Sequence, residues 1–263
     1  MLEAPSVSVV IPCYNEEANL RAGVLDRVAA YVESHACCCE VLIVDDGSRD
    51  ESVKLIVPFV SLHPRFRLLC EPHRGKAGAV ITGVLSATGD FVLFCDMDQA
   101  TPVDDLERLM PLLLDGYDVV VGSRAEHRAG APLVRKIMAL GFIQLRRLVV
   151  DVGNVADTQC GFKCFRRSVA NVLCSALRVF RGDTVQARGA TVTAAFDVEL
   201  LYLARRMGCR VAEVPVRWQY VGTRRVDPLR ESWRGLRGLF AIRLNELRGR
   251  YRGIELARNQ KAC

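Results

Sequence analysis

Asp96 and Asp98 stand two residues apart directly after the apolar run FVLFC, in the stretch FCDMDQATP. In extended backbone, residues i and i+2 project to the same side, so the two carboxylates face together while Met97 points away. Two bare carboxylates turned into a core are costly and need either water or a cation. A hard divalent ion, Mg²⁺ or Mn²⁺, bridging carboxylate to phosphate oxygens suits the pair. Taken alone the pattern is weak, because surface loops contain it constantly, and two solvated charges at the end of a strand are the alternative.

Other polar clusters offer similar choices. Asp45 and Asp46 in IVDDGS either form a turn and cap the next helix, or accept hydrogen bonds from a nucleotide base or ribose. In PCYNEE, Pro12 is expected to end a strand, Asn15 to cap a helix, and Tyr14 to stack on a base or cover a sheet edge. Lys76, at a helix start in HRGKAGAV, is a diphosphate ligand or an exposed lysine; the spacing of a Walker loop is absent. Arg124 follows VVGS, where an arginine is a natural phosphate ligand. DTQCGFKCF gathers Asp157, Gln159 and Lys163 around a glycine, and its two cysteines lack zinc spacing. Asp197 and Glu199 in FDVELL form a helix-start pair or an acid/base group. The four histidines are scattered, which gives no support to a histidine triad or a histidine-rich metal site.

The elements that must position these groups follow from the apolar pattern. Continuous apolar runs at 7–11, 41–44, 65–69, 91–95 and 118–122 read as strands, and RVAEVPVRW as a further one. Between the first five lie amphipathic stretches with apolar residues every three or four positions. A helical stretch is expected at 132–149 and another after DTQCGFKCF. Apolar strands alternating with helices predict an α/β fold, a Rossmann-like and mostly parallel central sheet covered on both faces. In such sheets ligands gather at the carboxyl ends of the strands, and four of the polar clusters fall there.

The chain has 263 residues, enough for one large core, and half are hydrophobic, which excludes a disordered chain. No transmembrane helix is expected, because Arg146 and Arg147 interrupt LGFIQLRRLVVDV, the most apolar stretch. The first residues lack signal-peptide features. The eleven cysteines are odd in number, several sit near strand ends, and they read as reduced thiols of a reducing compartment. Adjacent Cys37, Cys38 and Cys39 lack the usual metal-ligand spacing. The formal charge of +6 is carried by the tail: nine arginines against three acids lie between Arg224 and Arg252. There RESWRGLRGLFAIRLNELRGRYR is either a basic amphipathic helix on an anionic membrane or a helix packed on the main domain. Nucleic acid is disfavoured for want of aromatics.

Taken in order, VSVVIPCYNEEANL, EVLIVDDGSRDES, RGKAGAVITGVLSATGDFVLFCDMDQAT, VVVGSR, DTQCGFKCF and FDVELLYLARRMGCRVAEVPVRW resemble the inverting family 2 glycosyltransferases of GT-A fold. Within that family the chain is most similar to the dolichyl-phosphate β-glucosyltransferases. The resemblance covers about residues 6 to 220, and implies a glycosyltransferase domain over 1–220 with a basic helical tail over 221–263. It implies UDP-glucose as donor and dolichyl (polyprenyl) phosphate as acceptor; GDP-mannose, a soluble acceptor, or a non-catalytic nucleotide-sugar-binding protein are the alternatives. Pro12, Tyr14, Glu16 and Asp46 would line the pocket for base and ribose. Asp96 would meet ribose or metal, Asp98 the metal, and Lys76 and Arg124 the phosphates. Asp157, Gln159 and Lys163 would flank sugar and acceptor, and Asp197 takes the place of the family's catalytic base. The implied location is cytoplasmic, peripheral on the cytosolic face of a membrane (the endoplasmic reticulum in a eukaryote). The chain departs from the pattern in three ways. It shows no membrane-spanning anchor, it has Ala100 where related mannosyl enzymes carry a metal-binding Gln (Gln99 is one residue early), and residues 178–193 form a longer connection than usual.

Overall fold

The computed structural model of the protein describes residues 5–124, 144, 146, 148–180, 194–219 and 228–254. Its centre is a seven-stranded sheet: β1 (Val7–Cys13), β2 (Cys38–Asp45), β3 (Phe66–Cys70), β4 (Phe91–Cys95), β5 (Val119–Ser123), β6 (Phe162–Arg166) and β7 (Val211–Pro215). In space the order is β3-β2-β1-β4-β6-β5-β7. All neighbours run parallel except β6, which is antiparallel to both β4 and β5. The expected mostly parallel sheet is therefore present.

Period-two alternation divides the strand side chains between two cores. Val10, Leu42, Val44, Val92, Phe94, Val119 and Val121 face one side. There they meet helices α4 (Lys76–Ser86), α6 (Arg167–Ala176), α7 (Ala194–Arg206) and α8 (Pro228–Leu247). Val9, Ile11, Val41, Ile43, Leu93, Cys95 and Val120 face the other, covered by α2 (Val24–Ser34), α3 (Ser52–Leu62) and α5 (Leu106–Leu114). The short α1 (Glu17–Arg21) follows β1. With both faces covered, water reaches the central strands mainly at their ends, and ligand groups belong there.

Two sequence expectations change, and the Cys37–Cys39 run finds its place at the start of β2. Pro12 does not end the first strand, which runs on to Cys13. The Cys13 carbonyl turns toward β2, accepting from Asp46 N at 2.8 Å. Pro12, one residue earlier, therefore directs its missing donor to the opposite side, beyond Val10–Phe94, the last pair with β4. Cys38 and Cys39 belong to β2, with Cys38 fully buried and its thiol pushed up to about 12 by burial and then by Cys37. Finally, DTQCGFKCF contains a strand that the apolar pattern conceals, because Lys163 interrupts FKCF although the lysine is itself fully buried.

α8 joins the same core as the rest. Leu239 and Ile242 are buried with α7, and a Cβ at Gly238 would overlap Ala195, so the glycine allows the two helices to touch. The opposite side of α8 exposes Phe240, Leu244 and Leu247. Of the helix expected at 132–149, residues 144, 146, 148 and 149 are helical and the remainder lies outside the described residues. Most of the long connection at 178–193 also lies outside them, as do residues 220–227 and the side chain of Trp233. Among the described residues no helix is long and apolar enough to cross a membrane.

Candidate active site

The carboxyl ends of β1, β2, β4 and β5 bring the polar clusters to one edge. At the end of β2, Asp46 is buried and its carboxylate is fully engaged. One oxygen accepts from Arg74 N at 2.7 Å; the other accepts from Gly75 N and His73 Nδ1, both at 2.8 Å. Asp46 thus fixes the turn that delivers Lys76 to the start of α4, a tighter role than an open wall for a ribose. His73 stacks on Tyr14 with ring centroids 4.0 Å apart and planes 9° apart. Tyr14 and Pro12 are half-buried at this edge. Glu16 is buried, with Oε2 accepting from Asn19 Nδ2 at 2.5 Å, and lies close enough to Cys13 to act on its thiol together with Asp45. The buried Oδ1 of Asp45 has no hydrogen-bond partner among the described residues.

Beyond β4, Met97 is buried while Asp96 and Asp98 remain partly exposed. The chain turns here, with Gln99 N donating to Asp96 O at 3.1 Å, so the expected extended backbone between the two carboxylates is replaced by a turn. The Lys76 ammonium pairs with Asp96. Asp98 Oδ1 accepts from Ala100 N at 3.0 Å. Gln99, at φ 51°, is turned away: its amide nitrogen donates to Asp96 O at 2.8 Å and its oxygen accepts from Val103 N at 2.9 Å. It closes the turn before α5. Among the described residues no group of three or more His, Cys, Asp or Glu is arranged to hold a metal ion. Two hard carboxylate donors at a solvent-facing edge, beside cationic side chains, still fit a divalent ion whose other ligands come from a diphosphate and water.

Across from this pair lies the loop before β6. A Cβ at Gly161 would overlap the Asp96 carboxylate, so the glycine lets the loop close on the strand end. Lys163 Nζ donates to Cys160 O at 2.5 Å and to Asp197 Oδ1 at 2.6 Å, and sits 5.1 Å from the Phe94 ring centroid. Lys163 has no exposed surface, and it holds Asp197 and the Cys160–Gly161 peptide. Asp157 binds Arg124 through both oxygens: Nε to Oδ2 and Nη2 to Oδ1, each 2.8 Å. Burial opposes charge on Arg124; the hydrogen bonds and charge of Asp157 outweigh it and raise the guanidinium pKa, with Asp96 contributing. Gln159 alone of this loop's candidates is exposed. Glu199 points elsewhere and accepts from Tyr251 Oη at 2.7 Å and from the Arg178 and Val179 amides. Burial raises its pKa, and it serves structure rather than acid/base exchange.

Three residues of this edge were not legible as site residues: His73, Arg146 and Glu213. His73 was one of four scattered histidines, although its place just before RGK was the available signal. Arg146 and Glu213 each lie in an apolar context and take meaning only from the loop they touch.

An edge of carboxylates and cations on this mixed sheet is the GT-A arrangement of a glycosyltransferase. Glucosyl-3-phosphoglycerate synthase of Mycobacterium tuberculosis, solved with Mn²⁺ and UDP-glucose, superposes with a TM-score of 0.62 at 20% identity, covering 91% of this chain and 79% of that one. The family model of glycosyl transferase family 2 matches residues 8–173, and the chain belongs to that family. A dolichyl-phosphate β-glucosyltransferase of Drosophila melanogaster is 35% identical over 98% of this chain and 81% of its own length. One of Trichomonas vaginalis is 35% identical over 81% of this chain, which spans 64% of that relative.

Proposed function

We propose that the protein transfers glucose from UDP-glucose to dolichyl (polyprenyl) phosphate with inversion at the anomeric carbon. The observation that carries this reading is the Asp96–Asp98 pair, with Lys76 on one carboxylate and Arg124–Asp157 nearby, in a chain whose relatives bear the dolichyl-phosphate β-glucosyltransferase name. In the reaction an acceptor phosphate oxygen bonds to the glucose anomeric carbon. The bond from that carbon to the diphosphate oxygen breaks, and its electron pair leaves with UDP.

A lipid monophosphate has a second pKa of about 6, so near neutral pH it is already a competent nucleophile and needs little general-base help. The protein's task is to bring two anions together and to stabilise the leaving diphosphate. Lys76 and Arg124 supply positive charge toward the phosphates, while Tyr14, Pro12, Glu16 and the Asp46 turn frame the base and ribose. Asp98, with Asp96, would hold Mg²⁺ or Mn²⁺, which when bound offsets diphosphate charge. Gln159 is free to reach sugar or acceptor, and Asp197, fixed by Lys163, lines the acceptor side.

For a lipid acceptor, the exposed side of α8 supports a peripheral membrane contact. Phe240, Leu244 and Leu247 follow i, i+4, i+7 spacing, with Arg237, Arg243 and Arg248 exposed beside them. Apolar side chains flanked by arginines suit an anionic bilayer surface, here the cytosolic face. The test of the whole reading is to offer labelled UDP-glucose and GDP-mannose to the purified protein with lipid phosphate and Mn²⁺. Solvent-extractable label is expected from UDP-glucose; label only from GDP-mannose, or none, would overturn the reading.

A further inference from the structure

We propose that Glu213 is a positioning residue that sets Asp157, and through it Arg124, at the carboxyl edge of the sheet. Its two carboxylate oxygens accept from consecutive backbone amides: Oε2 from Ala156 N at 2.7 Å and Oε1 from Asp157 N at 2.9 Å. The same loop is gripped from its carbonyl side by Arg146, which is fully buried. Arg146 donates to Val155 O at 2.7 Å, to Ala156 O at 3.3 Å and to Thr158 Oγ1 at 2.9 Å. One side chain takes the donors and the other takes the acceptors, so the backbone around Asp157 is fixed with no regular element to hold it.

The strand register explains why Glu213 can do this. Phe94 pairs with Lys163, Lys163 with Val121, and Val121 with Glu213, so a single row crosses β4, β6, β5 and β7. Side chains in one row project to the same face. Lys163 in that row holds Asp197, and Glu213 holds the loop of Asp157. Two acidic residues of the edge, from separate segments, are therefore placed by one register. Asp157 receives a directed backbone and passes it on as a two-point clamp on Arg124.

Only the kinetic part of the test depends on the glucosyl-transfer reading. In the full-length protein, exchange of the Arg124 Nε–H with solvent, followed by NMR, is expected to speed up by about tenfold in Glu213→Gln, which puts an amide N–H against a backbone N–H. Val211→Ala, a change in β7 that does not touch the loop, is expected to leave that exchange as in the wild type. In turnover, Glu213→Gln is expected to lower kcat by roughly 10- to 100-fold with donor KM within about threefold, as a misplaced group does. Combined with Asp157→Asn, it is expected to add less than about twofold to the loss from Asp157→Asn alone, because both act on one clamp. Should Glu213→Gln not fold, Glu213→Asp keeps the charge, withdraws it by one methylene, and is expected to give smaller changes in the same direction. Unchanged Arg124 exchange, or rate losses that multiply in the double variant, would overturn the proposal. A wild-type protein that moves no sugar from UDP-glucose would refute the donor reading, and the Arg124 exchange would still decide the role of Glu213.

Discussion

Lys163 and Asp197 meet inside the protein: the ammonium donates to the carboxylate at 2.6 Å, and the lysine has no exposed surface. Removing one member of such a pair leaves an uncompensated charge, which costs about 3–5 kcal/mol. Asp197→Ala is therefore expected to lose stability on that scale in denaturant unfolding. Asp197→Asn also leaves the ammonium without a countercharge but keeps an oxygen for it, so it is expected to lose less stability than Asp197→Ala and to keep a rate within roughly tenfold of wild type. In both wild type and Asp197→Asn, the pH–rate profile is expected to follow the acceptor phosphate, rising through its second ionisation at about pH 6. A rising limb lost only in the variant would mean that Asp197 removes the proton.

Asp98→Ala removes a carboxylate from the proposed metal pair, at a partly exposed position where Asp98 Oδ1 accepts from Ala100 N. Loss of metal-borne charge stabilisation is worth several kcal/mol, so transfer is expected to fall on the order of a thousandfold or more. Titration with Mn²⁺, read by electron paramagnetic resonance in the presence of UDP, should show weakened binding. Full activity of Asp98→Ala in chelator would rule out the metal role.

Arg124→Lys preserves charge but cannot reproduce the two parallel hydrogen bonds to Asp157. We expect it to behave more like Arg124→Ala than like wild type, with kcat reduced at least tenfold in a radiolabel transfer assay. Recovery of the wild-type rate in Arg124→Lys would show that charge alone suffices.

Far from the site, Glu40 is buried between Ser8 Oγ (2.7 Å), Thr88 N (2.7 Å) and Thr88 Oγ1 (2.6 Å). Burial raises its pKa, but the hydrogen bonds from Thr88, Ser8 and Arg67 outweigh burial and hold it below the ordinary 4.5. A carboxyl depressed on folding stabilises above its unfolded pKa, and that stability is lost as the pH falls through the folded value. Unfolding midpoints measured downward from pH 7 should therefore drop below about pH 4.5 in wild type. Glu40→Gln should start lower and decline less steeply over the same range.

The exposed apolar residues of α8 give a separable prediction. Phe240→Ser, Leu244→Ser and Leu247→Ser together should leave the fold intact, since all three side chains face solvent. Flotation with anionic vesicles is expected to fall by about tenfold or more, as three apolar anchors are lost. Unchanged flotation would remove α8 from the membrane contact.

The sequence made the sheet legible wherever strands were continuously apolar, and the carboxyl-edge rule then placed Asp46, Asp96 and Arg124 at one end. It failed where a buried charge broke the pattern: Lys163 hid β6, so the antiparallel strand was absent from the expectation. Partners across long sequence distances were equally hidden. Nothing in HRGKAGAV says that His73 stacks on Tyr14, and nothing in EVPVRW says that Glu213 serves a loop 56 residues away. The tail sequence allows two alternatives, a helix on a membrane or a helix on the domain. Its buried side satisfies the second, and its other side remains available to the first.

The position of β6 also sets the order in which the chain can be assembled. β1 to β4 make a continuous half-sheet from the first 95 residues, whereas β5 is joined to it only through β6, which is synthesised about forty residues later. Until then the flank of β4 beyond β1 carries unpaired backbone groups, an invitation to pair with another chain. Nascent chains stopped before Phe162 should thus be the aggregation-prone species, needing chaperone protection during translation.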